Sequence, residues 1–241
     1  MIGRYTTRFA ENAADVASAQ ALRRETFRGE GQGSDVDAFD SICKHVLVEE
    51  SDTGHLVCTF RLLLLANGSE IDKSYSAQFY DLESLHDIKG KIAEMGRFCI
   101  DPAFNDPDIL RIAWSVMTRF VDDNDVELLF GCSSFSGTDF AEYTDTFALL
   151  KERHLAPKRW LPKTKAPRVF HFANTLKLFK PNLKAAQRRM PPLLRTYLLM
   201  GGWVSDHAVV DNDLNTLHVF TGMEIKSIPA NRKRLLRAMA G

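Results

Sequence analysis

A single α/β domain on a mixed sheet is what this chain of 241 residues predicts. Three observations carry the expectation. Apolar runs of strand length alternate with helical stripes. Hydrophobic residues make up 45% of the sequence, enough for a sizeable core. The four cysteines, Cys43, Cys58, Cys99 and Cys132, lie far apart with no C-x-x-C spacing, so they read as free thiols in a fold that needs no staples. That usage fits a reducing compartment. No run approaches the roughly 20 apolar residues of a membrane span, and the first residues lack the apolar centre of a secretion signal. A cytoplasmic protein is expected.

Residues 4–9 read as the first strand. Asn12 caps a helix whose stripe is Val16, Ala19, Leu22, Arg23 and Phe27, ending near Arg28. Residues 29–35 form a glycine-rich loop leading to Asp37-Ala-Phe-Asp40. Strands follow over 45–50 and 56–65, joined by the turn chemistry of Ser51-Asp-Thr-Gly54. Residues 67–90 connect to a central strand over 92–101. After Pro102 a cap-rich turn opens a helix from Ile109 to about Asp122. Residues 126–135 read as a buried strand. Thr138 caps a helix with a stripe of Phe140, Tyr143, Phe147 and Leu150. Four prolines then mark a looping insertion with a strand over 169–172. A helix over 188–200 carries Pro191 and Pro192 in its first turn, a strand pair covers 203–211 and 217–225, and a basic helix covers 231–239.

The net charge of zero hides an asymmetry. Residues 1–150 hold 13 Lys/Arg against 26 Asp/Glu, whereas residues 151–195 hold 13 Lys/Arg against Glu152 alone. Such a basic segment recruits an anionic partner.

Within the central strand, Glu94 and Arg97 stand three residues apart. They fall on opposite faces of an ideal pleat unless a bulge near Gly96 brings them together. A bulge would also free N–H groups to hold a carbonyl oxygen. The same two residues could equally form an ion pair that only fixes strand register. No G-x-S-x-G, Walker loop, G-x-G-x-x-G after a strand or zinc spacing is present, so a reaction without covalent intermediate or metal is the chemistry left. Holding an activated acyl donor beside an amine requires placement, a proton path, N–H groups at the carbonyl and a helix N-terminus for a phosphate. The stretch from Glu94 through Asp108 to Arg111 offers these in order.

Arg24 with Phe27, Asp37-Ala-Phe-Asp40, Arg61-Leu62, Phe79 and Glu94-x-x-Arg97-Phe-Cys together resemble the GNAT superfamily of N-acyltransferases, in the branch that holds the acyl-homoserine-lactone synthases and the ornithine acyltransferases of ornithine lipid synthesis. Pro191-Pro-Leu-Leu, Tyr197, Gly201, Asp211 and Leu214-Asn-Thr216 with Val219 resemble the ornithine acyltransferases, whose C-terminal extension the lactone synthases lack. The resemblance implies a GNAT-like mixed, mostly antiparallel sheet flanked by helices, with a basic C-terminal extension. Residues 1–156 would form the acyltransferase core, and residues 157–241 a basic insertion and terminal strands and helices completing the same domain. It also implies transfer of a 3-hydroxyacyl chain from acyl carrier protein to the α-amine of ornithine. The lyso-ornithine lipid so formed would pass to an O-acyltransferase. The superfamily loop Q/R-x-x-G-x-G/A is absent, replaced by Pro102-Ala-Phe-Asn-Asp-Pro-Asp108, and the lactone synthases' Trp after the first helix has no counterpart. Both departures fit a carrier-protein donor. Beyond its 4′-phosphopantetheine arm no cofactor is implied, no metal and no nucleic acid. A lactone synthase using S-adenosylmethionine, or a non-catalytic carrier- or membrane-binding module, are the alternatives.

On this resemblance Glu94 would position Arg97 or take the amine proton, with N–H groups near Phe98 and Cys99 at the carbonyl oxygen. Arg24, Phe27, Asp37, Asp40, Arg61 and Tyr143 would line the acceptor site. Asp37 and Asp40 would meet the ammonium, Arg61 or Arg97 the carboxylate, and Tyr143 the departing thiolate. Asp37 and Asp40 serve equally as helix caps, and Tyr143 as core. Arg111, Lys158, Arg159, Lys184, Arg188 and Arg189 would steer the acidic carrier. A basic amphipathic helix over 180–197 would lie on an anionic membrane, keeping the protein peripheral on its inner face.

Overall fold

The computed structural model describes residues 3–29 and 35–240. The loop expected over 29–35 therefore falls mostly outside the described residues. In chain order the elements begin β1 (Tyr5–Phe9), α1 (Ala13–Arg28), β2 (Lys44–Glu50), β3 (Leu56–Leu65), β4 (Tyr80–Asp81) and β5 (Lys91–Ile100). They continue with α2 (Pro107–Asp123), β6 (Val126–Ser136), α3 (Thr144–Arg153), β7 (Lys163–Thr164), β8 (Val169–Phe170) and α4 (Phe172–Thr175). The chain closes with α5 (Leu183–Arg189), α6 (Pro192–Leu199), β9 (Trp203–Val204), β10 (Ala208–Asp211), β11 (Thr216–Glu224) and α7 (Ala230–Ala240). These elements form two compact units. The first takes the chain as far as Leu64, then Ala93–Val126 and the tail from Ala230; the second takes Leu65–Ile92 and Glu127–Pro229.

In the first unit the strands run in the order β1-β2-β3-β5, and the β1–β2 and β2–β3 pairs are antiparallel. Alternation along β1 divides its side chains between two helices. Arg8 pairs with Asp15 of α1 at 2.7 Å, whereas Tyr5 donates to Asp106 at the start of α2 and Phe9 meets Phe120 of α2. The two helices therefore cover opposite faces. Asn12 caps α1 as expected, accepting from the Asp15 N–H. Helix α2 begins at Pro107, two residues before the expected Ile109. Asp106 accepts from the Asp108 N–H, and Pro107 occupies a first-turn position that needs no donor. Helix α7 meets α2 through Arg237 and Asp122, 2.9 Å apart.

In the second unit β11 pairs antiparallel with β6 and with β10, β10 pairs antiparallel with β8, β9 adds to β11, and β4 pairs with β7. Phe135, Phe147, Phe172 and Leu194 are among the buried residues of its core. Here the sequence expectations need three corrections. Thr138 is not a cap: Asp139 accepts from the Ala141 N–H and opens a single tight turn over Phe140–Tyr143, and α3 starts only at Thr144. The strand expected over 169–172 stops at Phe170, because α4 opens at Phe172. The helix expected over 188–200, and with it the continuous basic helix over 180–197, is broken into α5 and α6. Met190, before the Pro191-Pro192 pair, is extended, since a residue preceding proline is pushed out of the helical region.

Among the described residues no helix is long and apolar enough to cross a membrane. All four cysteines are free, with Cys58 and Cys99 buried.

Candidate active site

The site is built in the first unit, on the face of the sheet that α1 covers. The kink expected near Gly96 falls one residue later. Arg97 takes a left-handed conformation with φ 53°, which costs a non-glycine residue roughly 1–2 kcal/mol. What holds it there is an ion cluster drawn from four parts of the chain. Arg97 lies 3.1 Å from Asp35 and 3.1 Å from Asp37. Arg61 of β3 grips Asp37 with both terminal nitrogens, at 2.6 and 2.8 Å, and reaches Asp40 at 2.7 Å. Arg23 of α1 donates to Asp35 at 2.8 Å, to the Asp35 carbonyl at 2.6 Å and to Asp40 at 2.6 Å. The partly exposed Arg28 also reaches Asp35, at 3.3 Å, so four guanidiniums surround the carboxylates of Asp35, Asp37 and Asp40, and the mutual pairing offsets the cost of taking these charges out of water.

Glu94 is buried on the same strand, 5% exposed. Its charge, with those of Asp37 and Asp40, acts on the Cys43 thiol, which burial, against the pull of Arg61, pushes up to about 12. Glu94 thus lies within electrostatic reach of the point on which Arg61, Asp37 and Asp40 converge. Gly96 lies against the buried Arg61: a β-carbon there would stand 3.7 Å from the guanidinium Nε, an ordinary contact.

An open groove of about 710 Å³ adjoins the cluster, with Glu11, Val16, Gln20, Asp40, Cys43 and His45 in its lining. His45 is 3% exposed and stands opposite Arg61 in the β2–β3 register. Its Nε2 lies 3.0 Å from the Asp40 carbonyl, which can only accept, so the ring proton is on Nε2. Burial lowers its pKa, and the neutral ring is left with a buried Nδ1 that has no hydrogen-bond partner among the described residues.

Burial works against ionisation of Asp40, yet the hydrogen bond and charge of Arg23, with Gln20 and Arg61, bring its carboxyl from 3.8 down to about 2. Asp37 is likewise lowered, with Arg61 overcoming its burial. A carboxyl depressed in the folded state contributes stability above its unfolded pKa and loses it as pH falls through the folded one. Unfolding titrations should therefore show stability level above about pH 4 and falling steadily to about pH 2. A variant carrying Asp40→Asn should flatten that decline.

The other expected site residues are distributed as follows. Arg24 is half-buried and lies 3.5 Å from the Gly29 carbonyl, so its neighbour Arg23 occupies the buried position in the cluster. Phe27 is half-buried on α1, and Phe98 is half-buried with its ring 5.7 Å from that of Phe60. The buried Cys99 thiol is raised to about 12 by burial, so it is not a ready nucleophile. Tyr143 lies in the second unit, buried against Phe135 and Phe147, and its hydroxyl donates to the Ser136 carbonyl at 2.8 Å. Arg111 pairs with Asp108, Arg159 with Glu224 and Arg189 with Glu142. Lys158, Lys184 and Arg188 are exposed and make no ion pair among the described residues.

Arg23, Asp35 and His45 belong to the site and were not singled out from the sequence. A guanidinium on the apolar stripe of α1 was the available signal for Arg23. Asp35 and His45 had none, because only the fold sets them against Arg97 and Arg61.

Residues 22–115 match the model of the acetyltransferase (GNAT) domain. The chain is 30% identical to the L-ornithine N(alpha)-acyltransferase of Rhodobacter capsulatus, over 93% of this chain and 91% of that protein. It is 27% identical to the enzyme of the same name from Agrobacterium fabrum, over 94% of this chain and 83% of that one. Among solved structures it is similar to FeeM, an N-acyl amino acid synthase from uncultured soil microbes, with a TM-score of 0.53 at 11% identity, covering 98% of this chain and 97% of the other. That likeness shows a shared fold: α/β, with a mostly antiparallel mixed sheet flanked by helices.

Proposed function

This chain belongs to the L-ornithine N(alpha)-acyltransferase family, and on that footing we propose that it moves an acyl chain from acyl carrier protein to the α-amine of ornithine. The product is the lyso-ornithine lipid, which a separate O-acyltransferase completes. The observation that carries the reading is the Arg97–Asp37 pair at the edge of the ion cluster. Asp37 is 22% exposed at its side chain, against 2% for Asp35 and 7% for Asp40. An amino acid presents an ammonium and a carboxylate a few atoms apart. Inserted at this edge, it exchanges partners with the resident pair: its ammonium meets Asp37, its carboxylate meets Arg97, and no charge is left alone. The side-chain ammonium of ornithine extends into the adjoining groove, where the Glu11 carboxylate offers an acceptor.

In the transfer one ammonium proton leaves through Glu94, directly or by way of water, which frees the nitrogen lone pair. The amine attacks the thioester carbonyl, the C–N bond forms and the C–S bond breaks. The remaining surplus proton passes to the departing sulfur. N–H groups at the Arg97 kink, near Phe98 and Cys99, hold the carbonyl oxygen while it carries charge.

The test is incubation of the purified chain with 3-hydroxyacyl carrier protein and ornithine, read by mass spectrometry. N-acylornithine is the expected product. A lactone formed from S-adenosylmethionine, or no thioester consumption with ornithine present, overturns the reading. The acidic carrier docks on the basic segment around Lys158, Arg159, Lys184, Arg188 and Arg189. Charge reversal at Lys184 and Arg188 together should raise the KM for the carrier about 3- to 10-fold at low salt and much less at high salt, with kcat unchanged.

A further inference from the structure

The connection between α4 and α5 carries a feature that acyl transfer does not use. Leu178 is 92% exposed, with Phe179 at 42% and Leu183 at 45% beside it. Soluble proteins seldom display adjoining large apolar residues without a use for them. This segment is also held out deliberately. The Lys151 ammonium, in the last turn of α3, donates to the carbonyls of Leu176, Lys177 and Phe179 at 2.8, 3.3 and 3.1 Å. Asp145, at the other end of α3, accepts from the Asn182 N–H at 2.8 Å, and Asn182 in turn caps α5. Leu176 and Ala186, on either side of the segment, are buried in the core. The backbone is therefore fixed, and what it fixes is the outward projection of Leu178. Flanking the apolar tip in the chain are Lys177, Lys180 and Lys184, all exposed, with Arg188 one turn further on; no acidic residue occurs from Arg153 to Ser205, and the carboxylates that reach this stretch from α3 and the turn before it are Asp145, held by the Asn182 N–H, and Glu142, paired with Arg189.

The geometry points to a membrane anchor: the segment from Lys177 to Leu183 wedges Leu178 and Phe179 between the headgroups of an anionic lipid surface while the surrounding cations pair with lipid phosphates. A protein partner would need a complementary hydrophobic pocket at the one point where Leu178 stands clear, whereas a bilayer receives an isolated apolar projection anywhere along its plane. The cationic collar sets the preference for anionic headgroups, and the leucine sets the depth. Vesicle binding of this kind needs neither acyl donor nor ornithine, so it stands or falls apart from the acyltransfer reading.

The full chain is floated with vesicles of phosphatidylcholine alone and of phosphatidylcholine with phosphatidylglycerol. Expected is binding to the second, weakened by salt, and about 10-fold lower partitioning for Leu178→Ser. Because Leu178 supports nothing beneath it, that variant should unfold at the wild-type temperature. A tryptophan placed by Leu178→Trp should shift its emission to the blue when anionic vesicles are added. Wild-type protein that ignores anionic vesicles overturns the proposal, as does L178S that binds them undiminished. So does a loss confined to carrier-protein affinity, which would make this a protein-docking surface.

Discussion

Glu94→Gln is expected to lower kcat for N-acylation by about 10²- to 10⁴-fold, the range that a positioned proton acceptor contributes. The amide has the shape of the carboxylate, so the buried side chain keeps its packing while losing its basicity. What separates this from mere damage is the pH profile. The variant should recover part of its rate in alkaline buffer, where the amine is free without help. Stopped thioester-consumption assays across pH read this. A variant within about 3-fold of wild type at neutral pH would take Glu94 out of the proton path.

Arg61→Leu is the change expected to cost most stability. Arg61 is 2% exposed and holds Asp37 bidentately and Asp40 through a third contact. Removing one partner of a buried ion cluster leaves uncompensated carboxylates, and such losses run to about 3–5 kcal/mol. For a chain of this length each kcal/mol is worth roughly 2–4 °C, so the melting temperature should fall by about 6–20 °C. Adding Asp37→Asn to Arg61→Leu should return a substantial part of that loss, since it removes one stranded charge. If Arg61→Leu melts within about 2 °C of wild type, the cluster is not carrying the stability its geometry implies.

Much of the architecture was legible in the chain because it is encoded locally. The Asn12 cap with the stripe from Val16 to Phe27 specifies α1, and the unbroken apolar run from Leu56 to Leu65 specifies β3, each within its own residues. The failures arose where two local signals compete. Thr138 and Asp139 are both good caps, and the carboxylate at 139 wins. The prolines at 191 and 192 can open a helix or end one, and here they do both in succession. The site was less legible than the fold. Arg61, Glu94 and Arg97 were recognisable as charges inside apolar strands, whereas Asp37 and Asp40, in a polar loop, were legible only through the family resemblance. Arg23 stands as a charge on an apolar stripe beside the more exposed Arg24, and Asp35 carries no pattern at all. Their roles depend on contacts across the fold, and no periodicity reports such contacts.

The ion cluster has one more consequence. Its members come from positions 23, 35 to 40, 61 and 97, so no stretch of the chain shorter than residues 23–97 contains it. The constellation is of high contact order and completes only when helix, turn and both inner strands have docked, which makes acceptor recognition a late checkpoint of folding. A chain halted short of that point would have no place for an amino acid to exchange partners.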